Sequence, residues 1–123
     1  GLAFERVCLL HVRQIRRALG VEGVLSSVCS WRSSATETPG AQVDLVLDRA
    51  DGVVDLCEMK WSERPYAVDK AEDAALRRRR TVFVEETGTR KSVQTVLVSP
   101  EGIERNKYAS SVQAVVTLAD LFS

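Results

Sequence analysis

The sequence QVDLVLDRADGVVDLCEMK, from Gln42 to Lys60, contains two apolar segments separated by a turn signal. The dipeptide Asp51-Gly52 is among the strongest short-range signals of a β-hairpin. A three-residue turn over 50–52 requires a left-handed residue, and Gly52 adopts that conformation without the steric cost of a side chain. The segment therefore predicts two antiparallel strands joined by a tight turn.

The length of that turn determines which charged side chains meet. With three residues in the turn, Arg49 pairs with Val53, and counting back from that pair places Asp44 directly opposite Glu58. Lys60 shares the face of Glu58, because side chains two residues apart on a strand point the same way. A two-residue turn would shift the register by one and separate the two acids. We therefore predict the longer turn, with two carboxylates and a lysine at one place.

Alternation along the first of these strands also assigns faces. It predicts Gln42 and Asp44 on one face, and Val43, Leu45 and Leu47 on the other. The residues around the acids are strongly apolar, which is typical of strands buried on both faces. Because an unpaired charge is costly in such a strand, the charges found there are expected to have a role.

Length and composition limit the class of protein. A chain of 123 residues with 45% hydrophobic and 28% charged residues is ordinary for one globular domain. The formal net charge is zero, so any nucleic-acid surface must be a local patch. No apolar run approaches the roughly 20 residues of a membrane span, and no signal peptide is visible. We expect no membrane partner and a cytoplasmic location.

The cysteines support a reducing compartment. Cys8, Cys29 and Cys57 are odd in number, far apart, and accompanied by a single histidine, His11. This pattern argues against a zinc site or a disulfide framework. His11 falls inside the apolar stripe of a predicted helix, where a packed core histidine is the favoured interpretation over a site residue.

Outside the hairpin, periodicity and turn signals predict the remaining elements. These are a helix over 2–19, a strand over 24–32, a polar loop over 33–40, a helix over 68–86, a strand over 93–98 and a short strand over 114–117. A helix between the third and fourth strands lets those two strands lie parallel. The order predicts an α/β fold with a mixed central sheet flanked by helices.

The second helix carries four consecutive arginines, Arg77 to Arg80. On a helical projection Arg79 falls near the middle of the apolar side. The favoured interpretation is a solvated face with one arginine extending its stem along apolar surface. The alternative is a phosphate-contacting patch beside the acids of the hairpin.

Acids facing each other across a hairpin have a specific chemical use. Two carboxylates bind a hard divalent cation through their oxygens, and such an ion polarises a phosphodiester and acidifies a bound water. A lysine on the same face can orient that water or neutralise developing charge. The same pattern is also common on solvated ribbons, so a purely structural role stays open. If the site is real, the two carboxylates repel, and Glu58→Gln should stabilise the metal-free fold.

The chain resembles the PD-(D/E)XK nuclease superfamily, whose restriction-endonuclease-like core runs helix, three-stranded meander, helix, strand. Asp44 matches the first acidic position of that family, Glu58 the second and Lys60 its lysine. Glu5 matches the helical glutamate that many members add, whereas Val43 stands where a proline often precedes the first acid. The resemblance implies that Asp44, Glu58 and Glu5 bind Mg²⁺ or Mn²⁺ and that all three act in catalysis with Lys60.

More narrowly, the chain resembles the C-terminal nuclease-like domain of archaeal and bacterial AAA-type ATPases. The matching segments are 1–8, 40–45, 56–60, 83–87 and 116–122. The resemblance implies that residues 1–123 form a single domain excised from a longer chain, with an ATPase domain upstream. It also implies DNA as a partner and allows a homodimer. Gln42 and Arg79 are the candidate substrate-binding residues.

Three functions follow from these observations. The first is a metal-dependent phosphodiesterase that acts on DNA as an endonuclease. The second is a catalytically silent nucleic-acid- or protein-binding module that regulates the ATPase, which the neutral net charge favours. The third is an ordinary α/β domain whose acids and lysine are surface charges.

Overall fold

A computed structural model describes residues 2–34 and 41–123. Its helices are α1 (Leu2–Leu10), α2 (Val12–Ala18), α3 (Lys70–Thr87) and α4 (Leu118–Leu121), with a 3₁₀ turn at Ala109–Ser111. Its strands are β1 (Ser26–Arg32), β2 (Gln42–Arg49), β3 (Val53–Met59), β4 (Ser92–Val98) and β5 (Ala114–Val116). Beyond Ser34, the loop predicted over 33–40 lies outside the described residues.

The five strands form one sheet in the order β1-β2-β3-β4-β5. The pairs β1–β2 and β2–β3 are antiparallel, whereas β3–β4 and β4–β5 are parallel. The parallel β3–β4 pair confirms that α3 is a crossover. The predicted α/β class, with a mixed sheet flanked by helices, is also confirmed. Within the described ranges, no helix combines the length and apolar character needed to span a membrane.

Helices cover both faces of the sheet. On one face α1, α2 and α4 contribute Phe4, Cys8, Ile15 and Leu121 to a cluster with Leu45, Leu47, Cys57 and Met59. On the other face α3 contributes Phe83 to a cluster with Val43, Val46, Val54 and Leu56. We call these the α1 face and the α3 face. The strands between them are buried on both sides, as their apolar sequences predicted.

The single helix predicted over 2–19 is wrong, because the structure breaks it at His11. In a continuous α-helix the backbone N–H of His11 would donate to the carbonyl of Val7. Here it donates to Cys8 at 3.0 Å, and the imidazole Nδ1 lies 2.7 Å from the Val7 oxygen instead. The ring also packs edge-on against Phe122 at 4.9 Å. The histidine is therefore a packed structural residue, as predicted, and it separates α1 from α2.

The ends of α3 follow from its sequence. Asp69 accepts a hydrogen bond from the backbone N–H of Glu72 at 2.7 Å and caps the first turn. Gly88 terminates the helix in the left-handed region with φ 65°. The observed helix begins two residues later and ends one residue later than the predicted 68–86. Thr117 and Asp120 likewise form a capping box at the start of α4.

The turn between β2 and β3 has the predicted length. Gly52 adopts φ 89°, the left-handed conformation that the three-residue turn requires. The paired residues are Leu45–Cys57, Val46–Leu56, Leu47–Asp55 and Asp48–Val54. This register ends at the Leu45–Cys57 pair, one residue short of Asp44 and Glu58, so the opposition of these two acids stays a prediction.

One feature of β2 differs from simple alternation. Cys29 of β1 pairs with Val46, but Trp31 pairs with Val43, so two residues of β2 stand opposite one residue of β1. This is a β-bulge that contains Asp44. As a result Val43 packs on the α3 face with Val46 and Phe83. The prediction that Val43 shares a face with Leu45 and Leu47 is therefore wrong.

Candidate functional site

The first predicted acid, Asp44, lies in the bulge of β2 and is held by a neighbouring amide. Gln42 Nε2 donates to Asp44 Oδ1 at 2.6 Å, and Arg32 Nη2 donates to Gln42 Oε1 at 3.1 Å. Arg32 and Gln42 are also paired across β1 and β2. Gln42, predicted to join the site, therefore contacts Asp44 and orients its carboxylate.

The second predicted acid, Glu58, lies one residue before the end of β3 and faces α3. Its side chain is 14% exposed, and Arg79 Nη1 donates to Glu58 Oε1 at 3.0 Å. Burial raises the pKa of the Glu58 carboxyl above its ordinary value, while the charges of Arg79 and Lys60 act in the opposite direction. Arg79 is thus not a solvated surface charge, because it is the cationic partner of Glu58.

Lys60 also reaches toward α3, which confirms that it shares a face with Glu58. Its Nζ lies 3.3 Å from Glu72 Oε1. The contact is electrostatic and lacks hydrogen-bond geometry, since this buried oxygen accepts no hydrogen bond from any described residue. Glu72 is fixed by its position in the first turn of α3, where its backbone donates to Asp69. α3 therefore holds the Lys60 ammonium group against Glu72, close to the predicted metal ligands.

Two residues of this site were missed in the sequence. Glu72 lies near enough to Glu58 for its charge to favour the protonated carboxyl. Tyr66 is half-buried beside the same groups. The pKa of its phenol is raised by burial and by the negative charges of Glu72, Asp69 and Glu58, against the opposing charge of Arg79. Glu72 could have been noticed as the acid three residues after a helix cap, but no sequence signal marked Tyr66.

Glu5 does not join the acids of the hairpin. It lies on α1, whose buried residues Phe4 and Cys8 pack on the α1 face of the sheet. Its charge acts on the Cys8 thiol, three residues further along the helix. Over residues 2–34 and 41–123, no three His, Cys, Asp or Glu side chains form a group that could hold a metal ion. The structure therefore does not assemble the predicted set of Asp44, Glu58 and Glu5.

The remaining donors still suit one kind of ion. Mg²⁺ keeps several waters and commonly binds through only one or two carboxylates. Asp44 and Glu58 both adjoin the Leu45–Cys57 pair, at the end of the β2–β3 hairpin away from its turn. The buried carboxylate of Glu58 already holds a cationic group, the Arg79 guanidinium. The chemistry of this donor pair fits a single hard divalent cation.

Arg77, the first arginine of the run, does not form one surface with Arg79. Arg77 Nε lies 3.0 Å from Asp73 Oδ1, one turn back along α3, and half of the Arg77 side chain is exposed. This is an ordinary ion pair on the outer surface of a helix. The run therefore contributes to an outer ion pair, Arg77 with Asp73, and to an inner ion pair, Arg79 with Glu58.

A second buried acid on β3, Asp55, was also missed. It is inaccessible to solvent, and Arg49 Nη1 donates to Asp55 Oδ2 at 3.1 Å. Arg49 also donates from Nη2 to Asp51 Oδ2 in the turn at 2.6 Å. Burial raises the pKa of the Asp55 carboxyl, and Arg49 opposes that change. By alternation Asp55 lies on the α1 face with Cys57, away from Glu58.

Comparison with known proteins identifies a shared fold. The crystal structure of a protein of unknown function, AF1548, matches 89% of this chain with a TM-score of 0.57 and 20% sequence identity. The chain spans 56% of the length of the AF1548 chain. No protein-family model matches the sequence, and no curated protein does so either. These comparisons establish a likeness of fold, and the function is argued from the site.

Proposed function

We propose that this chain is a nuclease-like domain with the restriction-endonuclease-like fold of the PD-(D/E)XK superfamily, and that it hydrolyses phosphodiester bonds of DNA. The observation that carries the proposal is the register of β2 and β3, in which the last pair before Asp44 and Glu58 is Leu45 with Cys57. Lys60 supports it, since it lies on the same α3 face as Glu58. The order of a helical segment, three antiparallel strands, a helix and a parallel strand also agrees with the superfamily core.

In this proposal Asp44 and Glu58 hold Mg²⁺ or Mn²⁺. When bound, the ion polarises the phosphodiester and acidifies a water. The ammonium group of Lys60 neutralises negative charge that develops on the phosphoryl oxygens. Glu72 keeps that ammonium group beside the site, and Gln42 holds the Asp44 carboxylate through a hydrogen bond. Glu5 has no part in this arrangement.

Cleavage assays test the proposal directly. The purified protein is incubated with Mg²⁺ or Mn²⁺ and single-stranded, double-stranded, nicked and branched DNA. Asp44→Ala and Lys60→Ala should each reduce cleavage by at least about 100-fold, since removal of one group that stabilises charge in the transition state typically costs that much. Cleavage that persists unchanged in both variants would come from a contaminant and would defeat the proposal.

Two matched controls separate the site from general damage. Asp48→Ala removes an aspartate from the same strand, near the turn, where it pairs with Lys91 at 2.7 Å. Lys107→Ala removes an exposed lysine that lies over the ring of Tyr108. Both variants should cleave like the wild-type protein. Equal loss in the controls and in the site variants would show that folding, and not chemistry, had been affected.

A second candidate function is a silent module that binds nucleic acid or protein and regulates an attached ATPase. Two contacts favour it, because Glu58 and Lys60 are already engaged by Arg79 and Glu72. Calorimetry without detectable Mn²⁺ binding, together with no DNA shift at low salt, would select this function. The position of Asp44 and Glu58 next to the Leu45–Cys57 pair, at the same end of the hairpin, favours either candidate over a purely structural role.

The resemblance to ATPase-associated domains supports a further part of the proposal, an ATPase domain upstream in the same polypeptide. Cleavage by the full-length protein with ATP, compared with cleavage by residues 1–123 alone, tests that coupling. A cleavage rate that is the same with and without the ATPase domain would argue against it. A homodimer and a cytoplasmic location remain predictions.

A further inference from the structure

Arg79 occupies an unusual position for a charged residue of α3. Its neighbours one turn away on the same side of the helix, Leu76 and Phe83, are both buried. Its own side chain is 28% exposed, and its guanidinium points to the sheet, where it donates to Glu58 Oε1 at 3.0 Å. An arginine within the apolar side of a helix that bonds an acid of a central strand has a specific partner there.

Glu58 requires a positive partner because it is largely buried. A carboxylate removed from water is unstable unless it is paired, and Arg79 provides that pairing in the absence of a metal ion. A divalent cation on the same carboxylate would place two positive groups a few ångströms apart. Like charges at that separation repel strongly inside a protein. Glu58 therefore cannot hold both partners closely.

Lys60 does not face the same conflict. Its ammonium group lies against Glu72, on the first turn of α3, and makes no ion pair with Glu58 within the described residues. The position of Lys60 is therefore compatible with either state of Glu58. Arg79 is the group whose position depends on whether a cation is present.

We infer that Arg79 and a divalent cation are alternative partners of Glu58, and that the cation frees the Arg79 guanidinium to bind a phosphate group of the substrate. The inference rests on the proposed function, since it requires Glu58 to bind metal. A guanidinium matches the oxygens of a phosphate with two parallel hydrogen bonds. Once released, Arg79 lies beside the phosphodiester that the site positions.

Calorimetric titration with Mn²⁺ tests the competition without measuring cleavage. The samples are wild-type protein, Arg79→Met, Arg79→Gln and the control Arg77→Met, which removes an arginine of the same helix whose ion pair has the same length. Losing a charge-assisted hydrogen bond to Glu58 should tighten Mn²⁺ binding at least about tenfold in both Arg79 variants. Arg77→Met should bind Mn²⁺ like the wild-type protein.

Every outcome decides something. Tighter binding in the two Arg79 variants, but not in Arg77→Met, supports the inference. Binding that appears only when Arg79 is removed also supports it. Equal or weaker binding in those variants overturns the inference but leaves the proposed function standing. If no protein, including the Arg79 variants, binds Mn²⁺ at millimolar concentration, the proposed function falls and the inference falls with it. The glutamine variant retains a polar side chain should methionine disturb the fold.

A second measurement uses the wild-type protein and so avoids any folding defect. The guanidinium Nε–H signals of Arg79 and Arg77 are followed by NMR during a Mg²⁺ titration, and then during addition of a short phosphodiester such as a thymidine dinucleotide. The Arg79 signal should shift with Mg²⁺ and shift again with the dinucleotide, while the Arg77 signal stays constant. An Arg79 signal that is unchanged at saturating Mg²⁺ would overturn the inference.

Discussion

Strand β3 carries two buried acids three residues apart, and the two are used differently. Asp55 is paired with Arg49 at 3.1 Å on the α1 face, and Glu58 is paired with Arg79 at 3.0 Å on the α3 face. Burial raises the pKa of both carboxyl groups. Neither the length of the ion pair nor the direction of the pKa shift therefore distinguishes the two acids.

The source of the arginine does distinguish them. Arg49 lies on β2, the other strand of the same hairpin. Because it binds both Asp51 in the turn and Asp55 on β3, it stabilises the turn. Arg79 comes from α3, the crossover helix between β3 and β4. Both members of the Arg79–Glu58 pair remain partly accessible to solvent. A buried acid paired with an arginine is therefore not itself a sign of a functional site. Accessibility and a neighbouring set of further charges are the better criteria.

The largest expected effect comes from breaking the hairpin pair. Asp55→Ala should lower the free energy of unfolding by about 2 kcal/mol, because it removes a buried hydrogen bond between charged groups, while Arg49 keeps Asp51 as its partner. Urea denaturation measures this loss. Asp51→Ala, which removes the exposed partner in the turn, should stay close to the wild-type protein. If Asp55→Ala also abolished Mn²⁺ binding in the folded state, the two acids would not be separate in function.

The turn that sets the register comes next. Gly52→Ala should cost about 1 kcal/mol, because a side chain in the left-handed region meets its own backbone. Apart from Gly52 itself and its two neighbours in the chain, no residue has a heavy atom within 4 Å of the added carbon. Backbone strain is therefore the cause of the expected loss. Gly23→Ala is the control, since that position also has open space but no positive φ. Stability unchanged in Gly52→Ala would mean that the turn relaxes to another register.

A smaller effect is expected where α3 holds Lys60. Glu72→Gln should lower the free energy of unfolding by only about 0.5 kcal/mol, as for other partly exposed ion pairs. The same variant should slow DNA cleavage more than this loss of stability explains, because Lys60 is no longer positioned. Asp73→Asn, which removes the acid beside Arg77, is the matched control and should leave cleavage unchanged. Equal cleavage by both variants would remove Glu72 from the site.

The smallest effect concerns the charge of Glu58 itself. Because the folded-state pKa of Glu58 is raised, the folded protein holds this proton to higher pH than the unfolded chain does. The wild-type protein should therefore lose stability relative to Glu58→Gln as pH rises from the ordinary value of 4.5 through the folded-state pKa. Melts of both proteins between pH 4 and pH 8 without metal measure this difference. A difference that grows in the opposite direction would contradict it.

The sequence alone predicted the same sign for Glu58→Gln, but from a different cause. It attributed the instability of the charged carboxyl to Asp44. In the structure the largest cause is burial, and the acidic neighbour that adds to it is Glu72. The direction of the effect could be anticipated from an acid in an apolar strand, whereas the identity of its neighbours required the position of α3.

Much of the fold was predictable because it depends on local signals. Asp51-Gly52 fixed the turn length, Asp69 and Gly88 marked the ends of α3, and a helix between two apolar strands indicated a parallel pair. Each of these features is a property of a few consecutive residues. The register down to the Leu45–Cys57 pair follows from the same turn by counting.

The remaining features depend on contacts that distant residues make. The bulge at Asp44 arises in the pairing of β2 with β1, and the His11 ring, at the break between α1 and α2, packs against Phe122 from the other end of the chain. The partners of Glu58 and Lys60 come from α3. The packing of α3 on the sheet is not determined by any single segment of the sequence. Glu5 matched a family position, yet α1 packs on the other face.

The crossover between β3 and β4 also has a consequence for the order of folding. Arg49 and Asp55 are six residues apart in the chain, whereas Glu58 and Arg79 are 21 apart. Closing the shorter loop loses less conformational entropy, so we expect the hairpin pair to form before α3 docks. By the same reasoning, native-state hydrogen exchange should detect opening of α3 at a lower free energy than opening of the β2–β3 hairpin. The Glu58–Arg79 pair should then form after the hairpin pair and open before it.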